Sequence, residues 1–384
     1  MAEKTVLICP MDWGLGHASR CIPVINAFRD AGCRVVAASS GAAADLIRKE
    51  TGPVPVEVVP FPGFAVSYSR YWLLGGLLMR APAFLYHVSR EKKMLRSLVE
   101  KIRPDLIISD NRYGLVHDSV PSVLITHQLK PSLPLSFRML EKPLSRQIRK
   151  WALAFDECWI PDCPDSPAAG GLTSGWEKLP GARFTGWLSR FPGKTGYAGI
   201  SSPGRKYDSP EGDIKKRKDF RYEAMFLLSG PEPHRTLLEQ KVARGCIESG
   251  MNALIARGLP GVPCKKEVRG NTEIVSYLPS AGLFDALGKS RLVVCRSGYS
   301  SVMDLLVAEK NAILIPTPGQ PEQEYLGKWL AGRGWFRVVS QKDFDIRMIM
   351  ERPKPGDPSF AGLRPVPGED LLQKTVIEAV RRYT

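Results

Sequence analysis

Residues 5–20 read TVLICPMDWGLGHASR, a short apolar run that passes through a glycine-rich turn into a helical pattern. Residues 291–304 read RLVVCRSGYSSVMD and repeat the same order of strand, turn and helix. A buried strand followed closely by a helix is the building block of a parallel α/β sheet. Because one such junction lies in each half of the chain, the sequence predicts two α/β domains.

The rest of the chain alternates in the same way between β-rich runs and helical periodicity. Strand candidates span 5–10, 34–40, 56–61, 105–110, 121–127 and 155–162, and then 224–230, 252–258, 273–278, 291–298, 311–317 and 335–339. Helical patterns between them include 21–32 and 235–249. A stretch rich in Pro, Gly, Ser and Lys at 191–219 separates the two series and is typical of a linker or an exposed insertion.

We therefore predict an α/β fold of two Rossmann-like domains, with residues 1–185 joined through a linker at 186–221 to residues 222–368. The helical pattern at 369–384 is expected to pack back on the first domain. Ligands of parallel α/β sheets bind at the carboxyl ends of the strands. The cleft between two such domains is consequently the expected ligand site.

The composition is that of a globular protein with a basic excess. The chain has 384 residues, with 54 Lys and Arg against 39 Asp and Glu, and a net charge of +15. This charge favours anionic partners, but no helix-turn-helix, RNA-recognition or zinc-finger signature supports binding of nucleic acid. The eight cysteines form no C-x-x-C pair and no H-E-x-x-H motif occurs, which predicts a reduced intracellular protein without structural zinc.

The N-terminus lacks the long apolar core of a signal peptide. The most apolar stretch, 72–88, contains Arg80, Pro82 and His87 and falls short of a spanning helix. A cytoplasmic protein is therefore expected. Peripheral association with the anionic inner face of a membrane is left open, since the apolar stretch and the KKRK run at 215–218 would suit it.

The turn after the first strand contains Gly14, Gly16 and His17. Glycines let a ligand approach the backbone closely, and the helix that follows directs N–H groups toward it. The run lacks the third glycine of the dinucleotide fingerprint, so its chemistry rests on the histidine, which titrates near neutral pH. A histidine at this position is a candidate general base, although it could equally serve only to cap the helix.

The turn after the strand at 291–295 is receptive to anions, because Gly298 and Ser300 open a helix and Arg296 adds positive charge. Asp304 lies one turn into that helix, where a carboxylate can accept two hydrogen bonds from a ribose diol. An ordinary N-cap serine is the alternative explanation. A polar loop at 316–325 follows the next strand and presents Gln323 and Glu324.

Taken together, these residues resemble the GT-B glycosyltransferases, in particular those similar to the peptidoglycan GlcNAc transferase that acts on the lipid intermediate. The chain resembles still more closely uncharacterised relatives that carry a G-L-G-H-A-S-R start. The resemblance spans most of both domains and is most specific at 277–325. It implies two Rossmann-like domains with parallel sheets that face each other across a cleft.

The resemblance also implies which residues bind which substrate. Residues that match donor-binding positions are Gly14, Gly16, Ser229, Gly230, Leu278, Arg296, Ser297, Gly298, Ser300, Asp304, Gln323 and Glu324. His127 and Gln128 match the acceptor side of the family. The chain departs from the family pattern at Asp304, where the family has Glu, and at Glu324, where it has Gln. The loop at 229–235 departs as well, because its two prolines remove N–H donors.

Sugar transfer from a nucleotide diphosphate requires a base for the acceptor hydroxyl and stabilisation of the leaving pyrophosphate. His17 is the predicted base, and Asp12 or Asp110 is expected to orient it or to substitute for it as a catalytic residue. Single displacement with inversion is the consequence of one base. The D-x-D run at 343–345 lies far in sequence from the predicted phosphate turn, so no metal and no cofactor is expected. Helix N-termini and Arg296 would neutralise the pyrophosphate instead, as the resemblance also implies.

The sequence thus predicts a metal-independent transferase that moves a hexosyl or GlcNAc-like group, with a UDP-sugar as the expected donor. The acceptor hydroxyl is left open among a glycan, a lipid-linked molecule and a small molecule. One alternative is a nucleotide-sugar hydrolase of the same fold, in which water replaces the acceptor. The other is a basic protein that binds nucleotides or nucleic acid without catalysis.

Overall fold

The computed structural model describes residues 3–12, 14–51, 55–63, 75–128, 130, 139–164, 167–175, 179–191, 220–351 and 371–384. It divides into two compact units, the first formed by Met1–Arg190 with Gly368–Thr384 and the second by Phe191–Pro367. The KKRK run and most of the predicted linker at 186–221 lie outside the described residues. So do the side chains of 72–85 in the apolar stretch.

The first unit contains seven strands and five α-helices among its described residues. The strands are β1 (Thr5–Cys9), β2 (Arg34–Ser39), β3 (Glu57–Pro60), β4 (Leu106–Asp110), β5 (Ser122–Ile125), β6 (Glu157–Ile160) and β7 (Ala182–Phe184). The helices are α1 (Leu15–Asp30), α2 (Gly41–Glu50), α3 (Gly75–Ile102), α4 (Glu141–Ala152) and, at the C-terminus, α10 (Leu371–Tyr383). The strands pair in the order β3-β2-β1-β4-β5-β6-β7, and every pair is parallel.

The second unit also contains a seven-stranded sheet. Its strands are β8 (Tyr222–Leu227), β9 (Ala253–Ala256), β10 (Lys266–Arg269), β11 (Thr272–Val275), β12 (Ser290–Cys295), β13 (Ala312–Leu314) and β14 (Arg337–Val338). Its helices are α5 (His234–Ser249), α6 (Ser280–Gly288), α7 (Tyr299–Val307), α8 (Pro321–Gly332) and α9 (Arg347–Met350). The order is β10-β11-β9-β8-β12-β13-β14, with only the β10–β11 pair antiparallel among the described strands.

Burial explains why the apolar runs become central strands. All five residues of β1 are buried, and so are those of β4 beside it. Strands covered by helices on both faces have no polar alternation, and this is the pattern that the sequence shows at 5–10 and 105–110. The predicted fold of two α/β domains with parallel sheets is confirmed.

Strand β10 is absent from the sequence prediction. Its four residues are all exposed, and Val268 stands in the open on the outer edge of the sheet. A strand that buries no face leaves no hydrophobic pattern. Its strand state follows instead from antiparallel pairing with β11 across a tight turn.

Helix α10 belongs to the first unit. It buries Leu372 and Val376, and it packs against α1. Arg382 donates to the buried carboxylate of Glu157 over 2.7 Å, which ties the C-terminus to strand β6. Within the described residues, no helix combines the length and the apolarity that crossing a bilayer requires.

Candidate active site

The strand order of each sheet predicts where a ligand would bind in that unit. In the first sheet the order reverses between β1 and β4, and in the second between β8 and β12. The crevice at the carboxyl ends of the strands at such a reversal is where open α/β sheets bind ligands. The turns that sequence reasoning selected, after β1 and after β12, both begin at these points.

The backbone of the turn after β1 is uncrowded at Gly14. Gly14 has a φ of +102°, and no atom lies within 4 Å of where its Cβ would be. A side chain there would therefore be strained by backbone conformation and not by crowding. Gly14 also precedes α1, whose first turn has no side-chain cap, and Gly16 is exposed on that turn. The N-terminus of α1 is thus open to a polar group.

His17 and Asp110 form a hydrogen-bonded pair beside this turn. His17 Nδ1 lies 2.9 Å from Asp110 Oδ2, although 93 residues separate them in the sequence. Asp110 is wholly buried at the end of β4, whereas the His17 side chain keeps 17% of its surface exposed. Asp12, the other predicted partner of His17, instead pairs with Arg112 over 2.9 Å and accepts from the Gly63 N–H over 2.8 Å. Of the two predicted partners, the structure therefore brings only Asp110 to His17.

Arg20 is a member of the site that sequence reasoning missed. Its Nε donates to Asp110 Oδ1 over 2.8 Å, and its Nη2 forms a second, shorter ion pair with the same oxygen. Its Nη1 lies 2.6 Å from Nδ1 of His127, which the sequence had placed on the acceptor side. Arg20 follows His17 by three residues on α1, so both share one face of the helix. That spacing is the signal that could have found it.

The charges of this cluster keep His17 uncharged and Asp110 ionised. Burial and the neighbouring Arg20 lower the pKa of His17 below 6.5, and Asp110 offsets this only in part. Burial by itself would raise the pKa of Asp110, but Arg20 and His17 lower it to about 2. At neutral pH the site consequently holds a neutral imidazole beside a carboxylate, as a general base requires.

The remaining acceptor-side residue, Gln128, is half-buried just after β5. Its backbone N–H donates to Thr126 Oγ1 over 3.2 Å, which bends the chain at the end of the strand. His127 and Gln128 therefore both lie at the carboxyl end of the sheet. His127 joins the cluster of His17 and Asp110 through Arg20.

In the second unit, Arg296 is a fully buried link between loops. Its Nη2 donates to the His234 carbonyl over 2.9 Å, and its Nη1 donates to the Ile315 carbonyl over 3.3 Å. Burial lowers its pKa to about 10, so it remains charged at neutral pH. The donors that were predicted to face a phosphate are thus directed at backbone carbonyls. In this arrangement Arg296 holds the ends of neighbouring strands together.

Gln323 and Glu324 likewise serve the loop that carries them. Gln323 is buried, and its Oε1 accepts from the Thr317 N–H over 2.9 Å. Glu324 Oε1 accepts from the Gly319 N–H over 3.0 Å, while Ser297 Oγ donates to the Gln323 carbonyl over 2.7 Å. These predicted donor-binding groups therefore fix the shape of the loop and join it to the turn after β12.

Thr317 differs from these residues because its side-chain hydroxyl is unpaired. Only 2% of the residue is exposed, and its Oγ1 has no hydrogen-bond partner among the described residues. A Cβ on Gly230, which has a φ of +104°, would lie 3.4 Å from this hydroxyl and 3.8 Å from Arg296 Nε. Buried polar groups are nearly always paired. An unpaired hydroxyl next to a glycine, which has no side chain to fill the space, therefore indicates a position where a ligand atom could bond to the hydroxyl.

The other predicted donor-binding residues surround the same strand ends. Ser229 and Gly230 follow β8, Leu278 precedes α6, Gly298 is the N-cap of α7, and Ser300 lies in its first turn. Asp304 is buried further along α7. All of them belong to the second unit, whereas the predicted donor positions Gly14 and Gly16 belong to the first.

No group of three or more His, Cys, Asp or Glu side chains that could hold a metal ion occurs among the described residues. Of the D-x-D run, Asp343 accepts from the Ser340 hydroxyl over 2.6 Å and Asp345 pairs with Arg347 over 2.7 Å. Both carboxylates thus serve local turns. Metal independence stays a prediction.

Comparison with solved structures defines the class of the fold. The glycotransferase of kitacinnamycin has a TM-score of 0.58 at 14% identity, with 100% of this chain and 96% of that chain covered. The glycosyltransferase SsfS6 from Streptomyces sp. SF2575, solved with thymidine diphosphate, has a TM-score of 0.54 at 16% identity and 88% coverage of both chains. The protein therefore has the GT-B glycosyltransferase fold.

Sequence comparison matches a named family over one segment of the second unit. Residues 262–352 match the C-terminal domain of glycosyltransferase family 28. An uncharacterised glycosyltransferase of Methanosarcina mazei is 23% identical over 349 residues, 85% of this chain and 83% of its own. The peptidoglycan N-acetylglucosamine transferase of Nitratidesulfovibrio vulgaris is 40% identical over 57 residues, 14% of this chain and 16% of its own.

The resemblance stated from the sequence is thus confirmed at the level of the GT-B fold and of a family 28 C-terminal domain. The segment that matches contains the turn at Arg296 and the polar loop at 316–325. The narrower likeness to the peptidoglycan enzyme stays a prediction.

Proposed function

We propose that this protein is a glycosyltransferase that moves a sugar from a nucleotide-diphosphate donor to an acceptor hydroxyl without a metal ion. The observation that carries the proposal is the match of residues 262–352 to a family 28 C-terminal domain within a chain of GT-B fold. That segment contains the strand ends at which Arg296 and Thr317 lie. The second unit is accordingly the donor-binding unit of the proposal.

His17 is the proposed general base. A base must be neutral at working pH and must keep one nitrogen for the proton that it removes. The lowered pKa of His17 meets the first condition, and a bond from Nδ1 to Asp110 meets the second because Nε2 then carries the lone pair. With one base and no further nucleophile in the proposal, displacement is direct and the anomeric configuration inverts.

The donor is proposed to be a UDP- or dTDP-sugar. UDP is the expectation from the resemblance, while a solved structure of the same fold holds thymidine diphosphate. The hydroxyl of Thr317 is a further candidate donor contact, since it is buried without a partner, whereas Oε1 of Gln323 and Oε1 of Glu324 are already bonded to the loop. We therefore add Thr317 to the proposed donor site.

The test is thermal stabilisation by UDP, dTDP, GDP, ADP and CMP, measured with and without EDTA at two salt concentrations. A nucleotide at one hundred times its dissociation constant adds about 2.7 kcal/mol to the free energy of unfolding, which is a shift of several degrees. We expect a selective shift with UDP or dTDP that persists in EDTA. Absence of a shift with every nucleotide would contradict the proposal.

Turnover then separates transfer from hydrolysis. Release of the nucleoside diphosphate that requires an added acceptor supports a transferase, whereas release in water alone supports the hydrolase of the same fold. His17→Ala is expected to reduce turnover by about 10²–10⁴-fold, the usual contribution of a general base, with nucleotide stabilisation unchanged. The chemistry of the acceptor stays a proposal, which assays with glycan, lipid-linked and small-molecule acceptors test. Association with an anionic membrane stays a proposal as well.

A further inference from the structure

Arg20 touches every other member of the cluster in the first unit. It is 2% exposed, and its guanidinium reaches Asp110 through Nε, His127 through Nη1 and His17 through Nη2, the last over 2.8 Å. A guanidinium carries five N–H donors and no acceptor, and it stays protonated in proteins. Its contacts therefore limit where a partner without another acceptor can carry its proton.

The contact with His127 allows one proton arrangement. Nδ1 of His127 lies 2.6 Å from a donor that cannot accept, so this nitrogen must be unprotonated. The ring then carries its proton on Nε2. A second proton on Nδ1 would place two donors against each other.

The proton position of His17 depends on two neighbours of its Nδ1 nitrogen. Its Nδ1 lies 2.9 Å from the Asp110 carboxylate and 2.8 Å from Arg20 Nη2, and it cannot donate to one while accepting from the other. Nη2 already has an acceptor in Asp110 Oδ1. The ionised carboxylate of Asp110 can only accept, so a lone pair on His17 Nδ1 would face another lone pair on Oδ2. All the groups are satisfied when Nδ1 carries the proton and Nε2 carries the lone pair.

Arg20 also compensates the charge that faces His17. A carboxylate beside an imidazole stabilises the protonated ring, and a guanidinium on the same carboxylate opposes this. The groups that face His17 are Asp110, Arg20 and His127, and Tyr113 and Cys21 adjoin Asp110. Among them, Arg20 is the fixed positive charge that balances Asp110.

We propose that Arg20 is a positioning residue for two histidines. It keeps His17 neutral beside Asp110, whose carboxylate holds the His17 proton on Nδ1 and leaves the lone pair on Nε2, and it keeps the proton of His127 on Nε2. The role for His17 rests on the proposed function, because it prepares the ring to accept a proton from an acceptor hydroxyl. The proton positions themselves do not depend on any substrate.

The experiment is long-range ¹H–¹⁵N correlation on protein labelled at histidine, which has only five such residues, 17, 87, 117, 127 and 234. Single His→Gln variants assign the signals. In the wild type we expect the Nδ1–H form for His17, the Nε2–H form for His127 and a pKa of His17 below 6.5. The wild-type spectrum reads both proton positions directly, and the His→Gln variants serve only to assign its signals.

Two variants separate charge from geometry. Arg20→Gln removes the charge, and we expect the pKa of His17 to rise from its wild-type value because Asp110 is then uncompensated. Arg20→Lys keeps the positive charge but loses the branched guanidinium that reaches Asp110 and His127 together. We therefore expect the pKa of His17 to stay low, while the proton of His127 is no longer restricted to Nε2. Unchanged signals from His117 and His234 show that the fold is retained.

An Nε2–H form of His17 in the wild type, or the same pKa of His17 in Arg20→Gln as in the wild type, would overturn the inference. If the protein transfers sugar, the acid limb of kcat/KM should follow the pKa of His17 in both variants. Failure of every transfer assay with the expected spectrum would overturn the proposed function and leave the proton positions established.

Discussion

Asp110 and Arg20 act on His17 in opposite directions. The carboxylate alone would favour the protonated imidazole, which cannot accept a further proton. The guanidinium on the same carboxylate, together with burial, outweighs that effect and lowers the pKa of His17. The pH dependence follows directly, since a base with a lowered pKa stays unprotonated to lower pH. Activity limited by His17 should accordingly fall only below pH 6.5.

The same sign holds for stability. His17 binds protons less tightly in the folded chain than in the unfolded one, so protonation favours unfolding. Its contribution disfavours the fold as pH falls from its ordinary value of 6.5 toward its lowered value. Above 6.5, where both states are neutral, the group has no effect on the free energy of unfolding.

Thr317 offers a residue-level prediction in which stability and binding move in opposite directions. Thr317→Val removes a buried hydroxyl that lacks a partner, so the Tm of the free protein should stay equal or rise. Nucleotide binding should weaken by about tenfold or more, because a hydrogen bond to a charged group contributes about 1.5–3 kcal/mol. Calorimetric titration with the nucleotide that stabilises the wild type measures the change.

Thr317→Ser is the matched control, since it keeps the hydroxyl and loses one methyl group. It should bind nucleotide within a few-fold of the wild type. Equal affinities for the Val and Ser variants would show that the hydroxyl does not contact the donor.

The elements that matter for binding are the loops at the carboxyl ends of β8, β12 and β13. Arg296 joins them, because it follows β12 and donates to carbonyls at Ile315 and His234. Its side chain is wholly buried. The shape of the proposed donor site thus depends on one side chain in the turn after β12.

Arg296→Met tests this role. Carbonyl groups left without donors cost about 1–3 kcal/mol each, so the free energy of unfolding should fall by about 2 kcal/mol or more even without nucleotide. The exposed Arg244→Met is the control for loss of one positive charge and should have little effect. Thermal unfolding without ligand measures both.

A different result would restore the role expected from the sequence. If Arg296→Met keeps the wild-type Tm and loses only nucleotide affinity, the guanidinium contacts the phosphate directly. The loops would then need to rearrange when the donor binds.

At the scale of the molecule, the chain leaves its first unit and returns to it. Residues Gly368–Thr384 belong with Met1–Arg190, so the second unit is inserted between two parts of the first. Helix α10 completes the first unit by packing Leu372 and Val376 against it. The ion pair from Arg183 to Glu378 and the bond from Arg382 to Glu157 hold its outer face.

Leu372→Ala should therefore destabilise the first unit although it lies more than 180 residues beyond the end of its main segment, at Arg190. Truncation of a buried leucine costs about 2–5 kcal/mol. The exposed Arg381→Ala on the same helix is the control and should change the free energy of unfolding by less than about 0.5 kcal/mol. Thermal unfolding measures both, and equal stability of the two variants would contradict the packing role of α10.

The fold was predictable because apolar runs buried on both faces are the strongest pattern a parallel sheet leaves in a sequence. Strand β10 was not, because an exposed edge strand buries nothing. In the site, glycine turns and a histidine beside a helix N-terminus indicated where chemistry could occur. Arg20 was overlooked because an arginine on a helix is ordinarily exposed, and only its partners reveal that it is buried.

The sequence by itself determined the two parallel α/β units, the turns after β1 and β12, and His17 as a candidate base, because these depend on local periodicity and residue type. Tertiary structure decided the partners. It brought Asp110 to His17 across 93 residues and turned Arg296, Gln323 and Glu324 toward backbone groups. Hydrogen bonds between distant segments leave no trace in local pattern, since strand order and burial alone decide which side chains meet.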